Sequence, residues 1–324
     1  MSVHLGIDGG GTHTRAVIVT DRGEVLGIGH GGAANVNAVG AEAAQANIQQ
    51  AVVAAQSAAG LNASASFASA FLGIAGVVSD RDHAVTRRMA RALELAPEDA
   101  IGIDHDCRIA LAGGLSGRPG IVLIVGTGSS CFGINARGET WRAGGWGRLI
   151  SDEGSGYWLG IQALRIAVMA YDGRSPESSL TARVMEQMQI RDMNDLMHRL
   201  YVPGLSKAEI AAVAPLVLDA AREGDAAASA LLDQGVRELA ECTGAVARQL
   251  DLEDIELVTV GGLIQGSDLL QTRLRGALDT RVPGCRIVEP DLPPVLGAAL
   301  LSLQHAGIAL DDDVLSALAQ PPDA

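Results

Sequence analysis

The chain has 324 residues, a length that suggests two domains, and it is 48% hydrophobic but only 3% aromatic, so its cores must be aliphatic. Its 38 acidic against 24 basic residues leave a formal charge of −14, which argues against a nucleic-acid duplex or an anionic membrane as partner. The 40 glycines fall in short runs without a period, which excludes collagen and predicts many tight turns.

Residues 3–8, 14–20 and 25–29 are apolar or β-branched runs separated by GGGT and by Asp21-Arg22-Gly23-Glu24, the pattern of a three-stranded meander. An alanine-rich helix is expected over about 42–59, with Ile48, Val52 and Val53 on its inner side. Residues 67–74 read as a buried strand, 80–95 as a helix, and a strand from Ile101 runs to His105-Asp106 just before a short helix. GGLSGRPG, residues 113–120, is the best linker candidate. The opening pattern then returns: a strand at 121–125, the turn GTGSS, a strand at 131–135 and the turn Ala136-Arg137-Gly138-Glu139. At an offset of about 115, Gly11-Thr12 falls on Gly126-Thr127 and Arg22-Gly23-Glu24 on Arg137-Gly138-Glu139. That match predicts an internal duplication, with two lobes carrying related sheets around a cleft. Past residue 152 the chain reads as mostly helical, except for strands at 255–260 and 285–288.

Several chemistries can be set aside. A P-loop needs G-x-x-x-x-G-K-[ST], and the only lysine is Lys207, within Ser206-Lys207-Ala208. Gly27, Gly29 and Gly32 satisfy G-x-G-x-x-G, but no helix start follows and no acid lies about 20 positions on. The seven histidines show no metal-ligand spacing, and a zinc site is not expected. Cys107, Cys131, Cys242 and Cys285 form no C-x-x-C pair and read as free thiols of a reducing compartment. The longest largely apolar stretch, 67–78, is short of the ~20 residues a membrane span needs. The N-terminus has no basic n-region, and Asp8 interrupts the place of a signal core. A cytoplasmic protein is expected.

Two glycine turns are better phosphate candidates. Asp8-Gly9-Gly10-Gly11-Thr12 and Gly126-Thr127-Gly128-Ser129 each lie between two strands, and hairpin tips without Cβ atoms can present successive N–H groups to an anion. Asp8, ending a buried strand, would be a costly isolated charge unless it met a cation such as nucleotide-bound Mg2+. Asp106 is either the N-cap of the following helix or a carboxylate able to accept a hydroxyl proton, and Asp104 competes for that second role. Residues 144–158 hold two of the three tryptophans, the mark of a built pocket, while Ser151-Asp152 reads as the N-cap of a helix through Ala170.

Taken together, GIDGGGTHTRAVIV, IVLIVGTGSSC, GGWGRLISDEGSGYWLG and VTVGGLIQGSDLL resemble the sugar kinase/actin/heat-shock ATPase superfamily. Within it the chain resembles the N-acetylglucosamine kinase branch of the BadF/BadG/BcrA/BcrD-type ATPases. The resemblance implies a two-lobed, actin-like (ribonuclease H-like) α/β fold with duplicated βββαβαβα domains. The division would be residues 1–116 and 117–324, with a last helix at about 294–306 packing back toward the first lobe. It implies ATP and Mg2+ as cofactors, Asp8 at the metal, Gly10, Gly11 and Thr12 as the first phosphate loop, and Thr127 and Gly128 as the second. Gly261 and Gly262 fall on the adenosine motif. Asp106, followed by Ala110-Leu111-Ala112, fits the family's catalytic base better than Asp104 does. The sugar contacts fall on Asn35, Asp106, Ser129, Ser130, Gly145, Trp146 and Asp152. Family members with asparagine where this chain has Ser130, or glycine where it has Ser151, differ from it beside the sugar.

The implied reaction is transfer of the ATP γ-phosphoryl group to the 6-hydroxyl of N-acetylglucosamine, by a homodimer. Glucosamine kinase is the nearest alternative. A dehydratase- or reductase-activating ATPase is another, but it would need cysteines spaced for an iron–sulfur cluster.

Overall fold

The computed structural model describes residues 2–62 and 65–320 and divides into two units, Met1–Pro119 with Glu289–Ala324, and Gly120–Val288. The boundary therefore lies at Pro119 rather than at residue 116, and residues 289–324 belong to the first unit rather than the second.

In the first unit β1 (Val3–Gly9), β2 (Thr14–Thr20) and β3 (Val25–Gly31) form the meander, followed by α1 (Val36–Val39) and α2 (Ala41–Ala58). Then come β4 (Ser69–Ile74), α3 (Asp80–Ala92), β5 (Ile101–Asp104) and α4 (Asp106–Gly114). The strand order is β3-β2-β1-β4-β5, antiparallel through the meander and parallel from β1 outward. Alternation along β2 decides the two cores: Ala16 and Ile18 pack with Leu5, Ile48 and Leu72, while Val17 and Val19 pack with Ile109 and Leu296 on the other face. Val53, expected inside, is 44% exposed; α2 presents Ile48, Ala51, Val52 and Ala55 to the sheet instead.

The G-x-G spacing on β3 has a packing cause. A Cβ on Gly27 would lie 2.5 Å from the Ala55 carbonyl oxygen, and one on Gly29 would lie 2.1 Å from that of Ala51, so these glycines let α2 lie directly on the strand.

The second unit runs β6 (Gly120–Val125), β7 (Ser129–Ile134), β8 (Thr140–Gly144), α5 (Gly156–Tyr171), α6 (Leu180–Met188), α7 (Asp195–Tyr201) and α8 (Lys207–Ala211). It continues through α9 (Ala214–Arg222), α10 (Ala226–Gln249), β9 (Ile255–Val260), α11 (Gly262–Gln265), α12 (Asp268–Arg281) and β10 (Cys285–Val288). Its sheet order, read from β8, is β8-β7-β6-β9-β10, again antiparallel in the meander and parallel beyond it. The two sheets share one topology. The final helices α13 (Pro294–His305) and α14 (Asp312–Leu318) return to the first unit, where Leu296, Ala299 and Leu300 of α13 are buried in the core shared with Val17 and Ile109.

The linker reading of 113–120 is corrected at both ends: Gly113 and Gly114 are the last residues of α4 and Gly120 is the first of β6, so the connection is residues 115–119. No helix of the described residues is long and apolar enough to cross a membrane.

Candidate active site

In the first unit Asp8 and the glycine tip are placed by the β1–β2 hairpin. Gly9 pairs with Thr14, and the Gly10 N–H donates to the His13 carbonyl oxygen at 2.9 Å, which closes the turn. Gly11 and Thr12 form its exposed tip, and among the described residues their N–H groups have no protein acceptor. Most of the Asp8 side chain is covered, and no described basic side chain lies within ion-pair distance of it. Burial, and then the negative charge of Asp106, push the Asp8 carboxyl up from 3.8 to about 6, with Arg15 opposing. A buried carboxylate without a counter-ion fits a hard cation. One carboxylate completed by phosphate oxygens and water is a donor set that Mg2+ accepts.

Asp106 is the first residue of α4 and not its cap. The cap is His105, whose Nδ1 accepts the Arg108 N–H at 3.2 Å. The capping reading of Asp106 therefore falls away. Burial raises the Asp106 carboxyl above its usual range, against the opposing His105 and the Cys107 N–H, which donates to Oδ1 at 3.0 Å. Asp104 is differently engaged: its Oδ1 accepts the His105 N–H at 2.8 Å, and its Oδ2 lies 4.0 Å from Arg108 Nε. Asn35 is the N-cap of α1, its side-chain oxygen accepting the Asn37 N–H at 3.0 Å, and it lies against Gly76.

In the second unit the Gly126–Gly128 turn is fixed from behind by α5. The Gly156 N–H donates to the Gly126 carbonyl at 2.8 Å and the Tyr157 N–H to that of Thr127 at 3.1 Å. With those carbonyls occupied, the Thr127 and Gly128 N–H groups have no protein acceptor among the described residues. Gly261, at φ +120°, abuts the same turn: a Cβ there would lie 2.5 Å from the Val125 carbonyl oxygen and 3.0 Å from the Gly126 nitrogen. Only glycine lets the Gly261-Gly262 segment, which begins α11, meet the loop this closely.

The helix start expected at Ser151-Asp152 is corrected. Ser155 caps α5, accepting the Trp158 N–H, and Asp152 sits before it in the left-handed region at φ +66°. Asp152 is 3% exposed. Its Oδ1 accepts the Ser129 N–H at 3.3 Å, and its Oδ2 accepts a hydrogen bond from Lys207 Nζ at 2.7 Å. Ser130 Oγ stands beside Gly145, where a Cβ would come within 2.7 Å of it. Trp146 is 65% exposed, with the Arg142 guanidinium 5.0 Å over its ring, and Arg142 also donates to the Gly144 and Gly145 carbonyls.

The expected residues thus gather as two sets. Asp8, Gly10, Gly11, Thr12, Asn35 and Asp106 lie in the first unit; Thr127, Gly128, Ser129, Ser130, Gly145, Trp146, Asp152, Gly261 and Gly262 lie in the second. Sequence reasoning missed Arg142 and Lys207. Arg142 stands four residues before Trp146, and Lys207 had one signal, its being the only lysine.

A duplicated mixed sheet, each copy with a glycine hairpin between its first two strands, defines an α/β chain of the sugar kinase/actin-like ATPase class. The chain belongs to the BadF/BadG/BcrA/BcrD ATPase family, whose model matches residues 5–302. It is 32% identical over 305 residues to an N-acetylmuramic acid/N-acetylglucosamine kinase of Clostridium acetobutylicum, covering 93% of this chain and 98% of that protein. A glucosamine kinase of Vibrio cholerae is 33% identical over 185 residues, 57% of this chain and 61% of that one. The crystal structure of a candidate N-acetylglucosamine kinase from Chromobacterium violaceum superposes with a TM-score of 0.76 at 33% identity, over 94% of this chain and 99% of that one.

Proposed function

We propose that the chain is an ATP-dependent amino-sugar kinase that phosphorylates N-acetylglucosamine at its 6-hydroxyl, giving N-acetylglucosamine 6-phosphate and ADP. The observation that carries this reading is Asp152. It belongs to the segment that resembles the amino-sugar signature, yet its carboxylate holds the Ser129 N–H of the second glycine loop. Sugar signature and phosphate loop are therefore one built piece of structure. The names of the relatives, two of which are amino-sugar kinases, support the same class.

Phosphoryl transfer passes through a loose transition state, so the protein's work is positioning and charge neutralisation. The N–H groups of Gly11, Thr12, Thr127 and Gly128 would hold phosphate oxygens, and the hydroxyls of Thr12 and Thr127 add donors. Asp8 would hold Mg2+, which when bound neutralises phosphate charge. Asp106 would orient the sugar hydroxyl and accept its proton late, since a carboxylate is too weak a base to ionise an alcohol beforehand. Asn35, Ser130, Gly145, Trp146 and Asp152 would hold the sugar.

The activating-ATPase alternative needs thiolates for a cluster. Cys107 and Cys131 are buried, and the four cysteines at 107, 131, 242 and 285 form no C-x-x-C pair. A coupled ADP-release assay over a panel of amino sugars tests the proposal, with 31P NMR of the product locating the phosphate. ATP hydrolysis that no amino sugar stimulates would end this reading.

A further inference from the structure

The one lysine of this chain is not on the surface at random. Lys207 opens α8, whose start is fixed by a reciprocal cap between Ser206 and Glu209. The helix is pressed against α5 at glycines: a Cβ on Gly160 would lie 2.1 Å from the Ile210 carbonyl oxygen, and one on Gly156 would lie 3.3 Å from the Ala211 Cβ. From that anchored position the side chain reaches the second glycine loop. Nζ donates to Asp152 Oδ2 at 2.7 Å, and a Cβ on Gly128 would stand 3.0 Å from Nζ. A side chain at 128 would crowd the ammonium, which stands close over the turn.

We infer that Lys207 is a phosphate-binding residue of the second loop, taking the polyphosphate of a nucleoside triphosphate, with Asp152 as the group that positions it. Three observations combine. First, the ion pair is asymmetric: the Asp152 side chain is 4% exposed and that of Lys207 36%, so the carboxylate is enclosed while the ammonium remains open to an incoming group. Second, an ammonium has three donors, and Asp152 is the one acceptor it meets among the described residues. Third, the Thr127 and Gly128 N–H groups beside it also have no protein acceptor. Backbone donors and a cation at one turn are a recurrent answer to a bound phosphate. In a chain of charge −14, a local cation has more to offset than usual.

The inference rests on the kinase reading, and direct binding separates the two. The full-length chain is titrated calorimetrically with ADP and with a non-hydrolysable ATP analogue, in the presence of Mg2+, as wild type, Lys207→Met and the double variant Lys207→Met/Asp152→Asn. The double variant removes the lone buried carboxylate that the single one creates and so guards against a folding defect. Nucleotide binding should weaken about 10- to 100-fold in both variants, the usual loss for a hydrogen bond to a charged group. Its dependence on salt should also become shallower.

If Lys207 only props Asp152, Lys207→Met will raise the KM for the sugar and leave nucleotide affinity unchanged, and this inference is overturned. A double variant that binds nucleotide as tightly as wild type overturns it too. A wild-type chain that binds no nucleotide overturns the kinase reading together with this inference.

Discussion

Gly297 in α13 and Ile109 in α4 approach so closely that a Cβ on Gly297 would stand 2.0 Å from the Ile109 carbonyl oxygen. The same helix lies on β1, where a Cβ on Gly6 would come 2.4 Å from the Ala299 nitrogen. β1 carries Asp8 near its end and α4 opens with Asp106, so α13 sets the spacing between the two carboxylates. Overpacking a core by a methyl group costs typically about 1–3 kcal/mol, and here the clash is with backbone that cannot rotate away. Gly297→Ala should therefore lose about 3 kcal/mol in urea unfolding, with kcat falling as well. Gly276→Ala is the control, since it lies in α12 with nothing near its added methyl, and should gain about 0.5–1 kcal/mol. Equal effects at the two sites would refute the close-packing argument.

The assignment of the base turns on two aspartates two residues apart. Asp106→Asn should reduce kcat by ~10²–10⁴ while sugar and nucleotide affinities stay within a few-fold. Asp104→Asn should do much less to kcat, because its carboxylate already holds the His105 N–H and faces Arg108. Steady-state kinetics on both variants decide the matter, and a dead Asp104→Asn with an active Asp106→Asn would reverse the assignment.

Asp8 makes stability depend on pH in a definite direction. Its folded-state carboxyl titrates near 6 against 3.8 when unfolded, so the folded chain binds the proton more tightly. Its contribution is nil below pH ~3, becomes unfavourable as pH rises through 3.8 toward 6, and is constant above pH ~7. At about 1.4 kcal/mol per pH unit the penalty reaches as much as ~3 kcal/mol at pH 7.5. Asp8→Asn should therefore stabilise the metal-free chain at pH 7.5 by up to that amount, with no gain at pH 3, while raising the Mg2+ concentration needed for turnover. Denaturant unfolding at the two pH values measures this. A variant less stable than wild type at pH 7.5 would make Asp8 a structural residue.

The duplication was legible because it is written in local chemistry. In the first copy the Thr20 N–H donates to the Glu24 carbonyl and the Gly23 N–H to that of Thr20. In the second, Asn135 stands for Thr20, and the same two bonds join it to Glu139 and Gly138. Gly23 and Gly138 share φ values of +80° and +78°. Even the side-chain oxygens of Thr20 and Asn135 do one job, each accepting two backbone N–H groups of its turn. What could not be read depends on distance along the chain or on backbone conformation. Lys207 meets Asp152 across 55 positions, and no local pattern announces such a pair. Asp152 resembled a cap because capping residues are short and polar, whereas its positive φ turns it away from the helix and toward the loop. The last residue of α3 (92 rather than 95) and the first of β4 (69 rather than 67) shifted for the usual reason that element ends are weakly specified.

The choice between N-acetylglucosamine and glucosamine is argued from the carboxylates of the second unit. Glucosamine carries an ammonium near neutral pH, and a site selective for it should offer a carboxylate not already matched by a cation. Asp152 is paired with Lys207. Glu153 precedes α5 rather than lying in its first turn; its Oε2 accepts the Ser151 hydroxyl at 2.9 Å, and its carbonyl accepts that of Ser129 at 2.8 Å. Its carboxylate also lies close enough to Cys242 for its charge to help raise that thiol. Asp152 thus already has its cation, and Glu153 is held by the Ser151 hydroxyl beside Cys242, while Ser130, Gly145 and Trp146 offer the polar and apolar surface that an acetamido group needs. Higher kcat/KM for N-acetylglucosamine is therefore expected, measured for both sugars with ATP and Mg2+ at one ionic strength. Glu153→Gln should leave that value within about threefold, because no charge at the 2-position is being recognised. A tenfold preference for glucosamine, about 1.4 kcal/mol in transition-state binding, abolished by Glu153→Gln, would reverse the choice and identify Glu153 as the amine's partner.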